Sequence, residues 1–259
     1  MEKWTHCIDF RRSSSLRVIA TTSLILTLIV FGAGYAHAYV VRLTLIDYAD
    51  FRNIGSNTYL SKSLPEEAEL KVLSLLESAR KRVSDQYGEV SATPVTVVLG
   101  GKRERKQYGL DGPPGTFLFV PWGGYLLLDY EAASVDVTAH ELVHAEVVKR
   151  VGYIRRQLDI PTWFDEGAAM QVDHRKKYTL GTMMNHDEFS SIVRVDTPSK
   201  FWTSDKAQNI NHYRQAKAAM AVLLKHSGES LYGLLGKVRQ DEGNVIAVAT
   251  DKTRKALQP

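Results

Sequence analysis

The stretch A-A-S-V-D-V-T-A-H-E-L-V-H-A-E-V-V-K-R-V, Ala132 to Val151, decides the reading of this chain. Apolar residues recur at Val135, Ala139, Leu142, Val143, Val147 and Val151, close to a helical period. Ser134 is placed to cap the N-terminus, Lys149 and Arg150 fall in the last turn, and Gly152 stands just beyond it. The pentad His140-Glu141-Leu142-Val143-His144 therefore lies mid-helix. Positions i and i+4 share one helix face, so both imidazoles can reach a single metal ion. Glu141, beside the first of them, can stand next to a metal-bound water and take its proton.

A catalytic zinc usually takes three protein ligands and keeps one position open. The third should come from a separate element downstream, and P-T-W-F-D-E-G-A-A-M, Pro161 to Met170, offers one. Thr162 and Asp165 have the spacing of a capping box, which predicts a helix with Glu166 just past its first turn. Gly167, Ala168 and Ala169 are small enough to let this helix pack closely against the first. Glu166 would also suit a first-turn acid favoured by the helix dipole; after a helical H-E-x-x-H it becomes the expected third ligand.

The two motifs together resemble the gluzincin metallopeptidases, and most closely the bacterial peptidase MA-like proteins. The resemblance implies zinc on His140, His144 and Glu166, with Glu141 as general base. It extends as pattern from about residue 61 to about residue 240, through a strand at Pro94–Leu99 and a helix over Tyr213–Gly228. Related enzymes often place a Tyr where Tyr213 stands, which implies that it stabilises the tetrahedral intermediate; its alternative is an aromatic packed at a helix start, with His212 as its neighbour. Two departures stand out. Twenty-one residues separate His144 from Glu166, somewhat more than in thermolysin-like members, and a loop insertion over Gly152–Pro161 would absorb them. Thermolysin-like enzymes also carry an Asp four residues after the ligand Glu; here that position is Met170. Asp173 and Asp136 are the substitutes at hand for orienting a ligand His. His174, His186 and His226 read as surface or outer-sphere residues, although His174 lies near the same helix face as Glu166.

Phe117–Val120 and Tyr125–Tyr130 read as two strands about a turn at Pro121–Gly124. An extended peptide substrate could add to a sheet edge above the metal helix. Tyr125–Tyr130, the last strand before that helix, is the expected edge, or else an ordinary core strand.

The N-terminal segment sets the compartment. No Asp, Glu, Lys or Arg occurs between Arg17 and Arg42, and Val18–Phe31 is strongly apolar. Lys3, Arg11, Arg12 and Arg17 precede it, and Ala36-His37-Ala38 fits the A-x-A cleavage rule. Residues 1–38 therefore read as a signal peptide cut after Ala38. The alternative is an uncleaved membrane tether through residues 18–41. Either places residues 39–259 outside the cytoplasm, periplasmic or extracellular. The one cysteine, Cys7, lies within the leader, so neither a disulfide nor a Cys zinc ligand is available beyond it.

The formal charge is +4, of which the leader's four basic residues less Glu2 and Asp9 supply +2. The remainder calls for no nucleic-acid partner; Lys102–Lys106 and Arg175–Lys177 read as solvated loops or helix ends. Ser63 and Glu66 suggest a capped helix from Leu64 to Tyr87, stopped by Gly88, with Leu73, Leu76, Ala79, Val83 and Tyr87 buried. Further helices are expected at about Asn211–His226 and Ser230–Arg239. Strands ahead of helices give an α+β class: a small N-terminal sheet lobe, the metal helix beneath it, then a helical C-terminal lobe. The expected function is an exported zinc metallopeptidase acting on peptide or protein substrates. The alternative is a non-catalytic peptide-binding or envelope-assembly protein on the same fold, retaining a zinc site.

Overall fold

The structure, a computed structural model, describes residues 38–179 and 184–258. The leader reading thus falls almost wholly on residues outside those described. Among the described residues no helix is long and apolar enough to cross a membrane.

The chain is α+β, and its contacts divide it into two compact units. In the first, of which residues 38–49 and 107–109 are described, a short helix α1 (Ala38–Thr44) carries Arg42, whose guanidinium donates to the Gln107 carbonyl at 3.0 Å. The second unit holds a five-stranded mixed sheet of β1 (Phe51–Asn53), β2 (Thr58–Ser61), β3 (Val95–Leu99), β4 (Gly115–Val120) and β5 (Gly123–Asp129). Their spatial order is β1-β2-β3-β5-β4. The central pairings β2–β3 and β3–β5 are parallel; the two outer pairings are antiparallel. Covered strands of this kind are apolar throughout, and Val97, Val98, Leu99, Leu126, Leu127 and Leu128 are all buried.

The parallel β2–β3 step needs a crossover, and helix α2 (Ala68–Tyr87) supplies it. Its first turns place Ala68 and Val72 on Leu60, Val98, Leu126 and Leu128 of the sheet, while Ala79 and Val83 belong to the helical core. The expected capping box at Ser63 and Glu66 is absent: Ser63 Oγ bonds Ser61 Oγ at 2.7 Å, and the helix starts four residues later than Leu64. Leu73, expected in the buried stripe, is exposed. The Lys102–Lys106 run forms a short helix, α3 (Lys102–Gln107), with no buried residue; its Arg105 pairs with Asp129 at 2.6 Å.

After β5 the chain is helical: α4 (Val135–Val151), α5 (Tyr153–Leu158), α6 (Thr162–Gln171), α7 (His186–Ile192), α8 (Pro198–Phe201), α9 (Lys206–Ser227), α10 (Leu231–Arg239) and α11 (Val245–Ala256). Helix α4 has the ends expected of it: Ser134 Oγ accepts from the Val137 N–H at 3.3 Å, and Gly152 ends it at φ +87°. Three expectations are corrected. The Gly152–Pro161 segment is not a loop but contains α5. Thr162 is not the cap of α6 but lies within it; Pro161 is the cap residue, and Asp165 does not reach back to it. Helix α9 begins at Lys206, capped by Asp205, so Tyr213 lies about two turns into it rather than at its start.

The small residues of α6 serve α9 more than α4. A Cβ built on Gly167 would come within 2.5 Å of the Ala216 carbonyl oxygen and 3.1 Å of Met220 Cβ. Gly167→Ala should gain about 1 kcal/mol of helix propensity and lose more, because the obstacle is backbone and overpacking typically costs about 1–3 kcal/mol. The expected result is a lower urea midpoint with an unchanged m-value. A higher midpoint would mean that α6 and α9 do not cross so closely.

Candidate metal site

Helix α4 sets His140 and His144 one turn apart with their Nε2 atoms 3.2 Å from each other. Helix α6 brings Glu166 to the same point: Oε2 lies 3.4 Å from His140 Nε2 and Oε1 lies 3.6 Å from His144 Nε2. The three side chains are only 7, 11 and 6 % exposed. Four-coordinate zinc with bonds of about 2.0–2.1 Å separates its ligand atoms by about 3.3–3.4 Å; the two Nε2 atoms stand near that spacing, the two short carboxylate contacts are to different oxygens, and one donor atom from each side chain lies within 4.8 Å of the others. One polar atom argues the same way. Glu166 Oε2 is buried with no hydrogen-bond partner, a state that costs free energy unless a cation compensates it. His140, His144 and Glu166 are thus a buried group that can hold a metal ion, and among the described residues they are the one such group. His174, His186 and His226 lie outside it.

Behind the ligands stand one expected residue, Asp173, and one unexpected, Asp165. Asp165 Oδ2 lies 2.8 Å from His144 Nδ1, and Asp165 also pairs with the Arg156 guanidinium from α5. The Asp165–His144 contact lies off the ring N–H direction, so it acts mainly through charge. Burial works to lower the His144 pKa, but the carboxylates of Asp165, Glu166 and Glu141 outweigh it and raise it to about 10 in the metal-free protein. Burial conversely works to raise the Asp165 pKa, and His144 and Arg156 together hold it down at about 2. Asp173, one of the two candidates for this supporting role, approaches His140 Nδ1 at 3.9 Å. Its pKa is lowered: burial opposes the shift, and the Arg175 guanidinium and backbone N–H overcome burial. Asp136, the other candidate, is engaged elsewhere, with Arg82 at 2.5 Å and the His174 N–H at 3.0 Å.

Glu141 projects from α4 to the sheet, where Oε2 accepts the Phe117 backbone N–H of β4 at 2.8 Å. That bond locates the free edge. In the β4–β5 ladder Asp129 N–H donates to Pro114 O. Alternation along an antiparallel pair then turns the backbone groups of Gly115, Phe117 and Phe119 away from β5. The edge beside the metal group is therefore β4. Tyr125–Tyr130, expected to be that edge, is interior because β5 pairs with β3 on its other side.

Tyr213 reaches the site from α9. Its ring centroid lies 6.3 Å from that of His140, and its hydroxyl accepts the Trp202 indole N–H at 3.0 Å. Burial raises its pKa and the Glu166 and Glu141 carboxylates raise it further, against the Trp202 hydrogen bond, so the phenol stays protonated at any ordinary pH. Its neighbour His212 points away, bonding the Phe201 carbonyl at 2.7 Å through Nδ1.

No protein-family profile, curated protein or solved structure matches this chain.

Proposed function

We propose that the chain is an exported zinc metallopeptidase of the gluzincin type, with a zincin-like arrangement of sheet edge and metal helix. The observation that carries this reading is the convergence of His140, His144 and Glu166, with one donor atom from each within 4.8 Å of the others and Glu141 beside them. Two imidazoles and one carboxylate with a position left open are a donor set suited to catalytic zinc. When bound there, such an ion supplies Lewis acidity: it polarises a carbonyl oxygen and makes water acidic enough to attack near neutral pH.

The remaining work falls to the chain. Glu141 is the base that takes the proton of the attacking water and hands it to the leaving amine. The Phe117 N–H fixes its carboxylate beside β4, so the base and the strand that would hold the substrate are in register. An extended peptide adds to the outward-facing groups of β4 other than the Phe117 N–H, which Glu141 holds, by main-chain hydrogen bonds that are indifferent to sequence. Tyr213, protonated and close to both site carboxylates, donates to the oxygen on which negative charge develops. The apolar segment Val18–Phe31 with basic residues before it directs this activity outside the cytoplasm.

The purified protein should carry close to one zinc per chain and cleave unstructured peptides; a chelator should stop cleavage and added zinc restore it. Metal analysis and a peptide digest read by mass spectrometry make the test. Absence of zinc affinity would remove the reading altogether. Bound zinc without cleavage of any of a varied set of peptides would leave a peptide-binding or envelope-assembly protein.

A further inference from the structure

Trp202 follows α8 directly and leaves 44 % of its surface exposed, yet its indole N–H is spent on Tyr213. The Tyr213 ring is boxed by Phe201 at 5.1 Å, Tyr178 at 5.3 Å and His140 at 6.3 Å, measured between centroids. Ring position is therefore fixed by packing, and what remains free is the hydroxyl torsion. An indole N–H only donates, whereas a phenol both donates and accepts. A phenolic proton prefers the plane of its ring, which leaves two positions; accepting from Trp202 at one of them directs the proton to the other. Among the described residues no acceptor for that proton occurs in the protein; the carboxylates of Glu166 and Glu141 act on the phenol through charge.

We infer that Trp202 is a positioning residue: its indole N–H locks the Tyr213 hydroxyl as a hydrogen-bond donor toward the reacting carbonyl oxygen. This rests on the reading of Tyr213 given above. Donation into the phenol oxygen also polarises the O–H bond, so the same contact that aims the donor strengthens it. The lock acts only where charge has developed, so its loss should appear in kcat and leave KM alone.

The test uses the full chain, loaded with zinc, in four forms: wild type, Trp202→Phe, Tyr213→Phe and the double variant. Tyr213→Phe should lower kcat by about 10²–10³-fold, the cost of one oxyanion donor. Trp202→Phe, which keeps an aromatic ring and loses the N–H, should lower kcat by about 10-fold, the scale of one hydrogen bond. The double variant should be no slower than Tyr213→Phe alone. Affinity for a phosphonamidate peptide, a mimic of the tetrahedral state, should fall with kcat in Trp202→Phe while KM and zinc content stay put. Replacing Trp202 by 3-benzothienyl-alanine, of the same shape without the N–H, should reproduce the Phe result and guards against a packing defect. An unchanged kcat in both Trp202 variants, or losses that add in the double variant, would overturn the inference while leaving Tyr213 in place. An unchanged kcat in Tyr213→Phe would instead remove the role of Tyr213 and this one with it.

Discussion

Glu141→Gln should abolish peptide cleavage while leaving zinc in place. Among the described residues the carboxylate makes one hydrogen bond, accepted by Oε2 from the Phe117 N–H at 2.8 Å. A glutamine carbonyl oxygen can accept the same bond, so the side chain keeps its position and β4 keeps its contact with α4. What is lost is the ability to take a proton at neutral pH. General acid–base groups contribute about 10²–10⁴-fold, and Glu141 is asked to act twice, on the water and on the amine; a loss of at least about 10³-fold in kcat/KM is expected. Zinc content and thermal midpoint should match wild type. Glu141→Ala makes the informative contrast, since it also frees the Phe117 N–H and loosens the strand. Residual turnover within about 10-fold of wild type in the Gln variant would assign the base elsewhere, because no positional explanation for it would be left.

The parts of this site legible in the sequence are those set by local rules. The i, i+4 spacing, the Ser134 cap and the Gly152 stop all lie within one helix, and each is present. Glu166 also needs α6 to pack on α4, but the helical H-E-x-x-H ahead of it already asks for a third ligand from a following element, and that made it legible. Asp173 was legible as a support for a ligand His, but Asp165 and Arg156 were not, because their uses appear only once the helices pack. Asp165 reads in the sequence as the acid of a capping box; its use as the His144 partner depends on how α4 and α6 pack. Arg156 comes from a segment that composition gave no reason to call a helix, and its partner lies nine residues on. The long interval between His144 and Glu166 thus supplies the cation that holds Asp165 ionised. Strand order is non-local in the same sense. The last strand before α4 has an apolar run suited to an edge or a core, and only the parallel pairing of β3 with β5 puts β4 outside. For α9 a local signal did exist: Asp205 Oδ1 accepts the Ala207 and Gln208 N–H groups at 2.8 and 3.3 Å, an ordinary cap ahead of a polar first turn with no apolar stripe to announce it.

The metal affinities of Glu166→Ala and Asp165→Asn should separate a ligand from its support. Glu166→Ala removes one of three donors, so its loss should exceed the 10–100-fold typical of outer partners and should appear at every pH. Asp165→Asn removes only the charge behind His144, and its effect should depend on pH. In the metal-free protein the His144 pKa is raised to about 10 from 6.5. Metal therefore displaces a proton across this range, and apparent affinity should rise by about 10-fold per pH unit, levelling off above that pKa. Without Asp165 the pKa falls and the levelling-off moves to lower pH. The variant should then be about 10–100-fold weaker than wild type above pH 10, where ligand basicity alone decides, and closer to wild type near pH 7, where proton competition is relieved. The same shifts fix the stability of the metal-free fold. A raised His144 pKa stabilises it fully below about pH 6.5 and ceases to do so as pH rises through about 10. A lowered Asp165 pKa stabilises it above 3.8 and ceases to do so as pH falls through about 2. Competition titrations against a chelator of known affinity, run from pH 6 to 10.5, test both variants. A wild-type affinity that does not change with pH would mean that His144 is already neutral before metal arrives. An Asp165→Asn deficit equal at all pH values would mean that Asp165 only holds the ring in place.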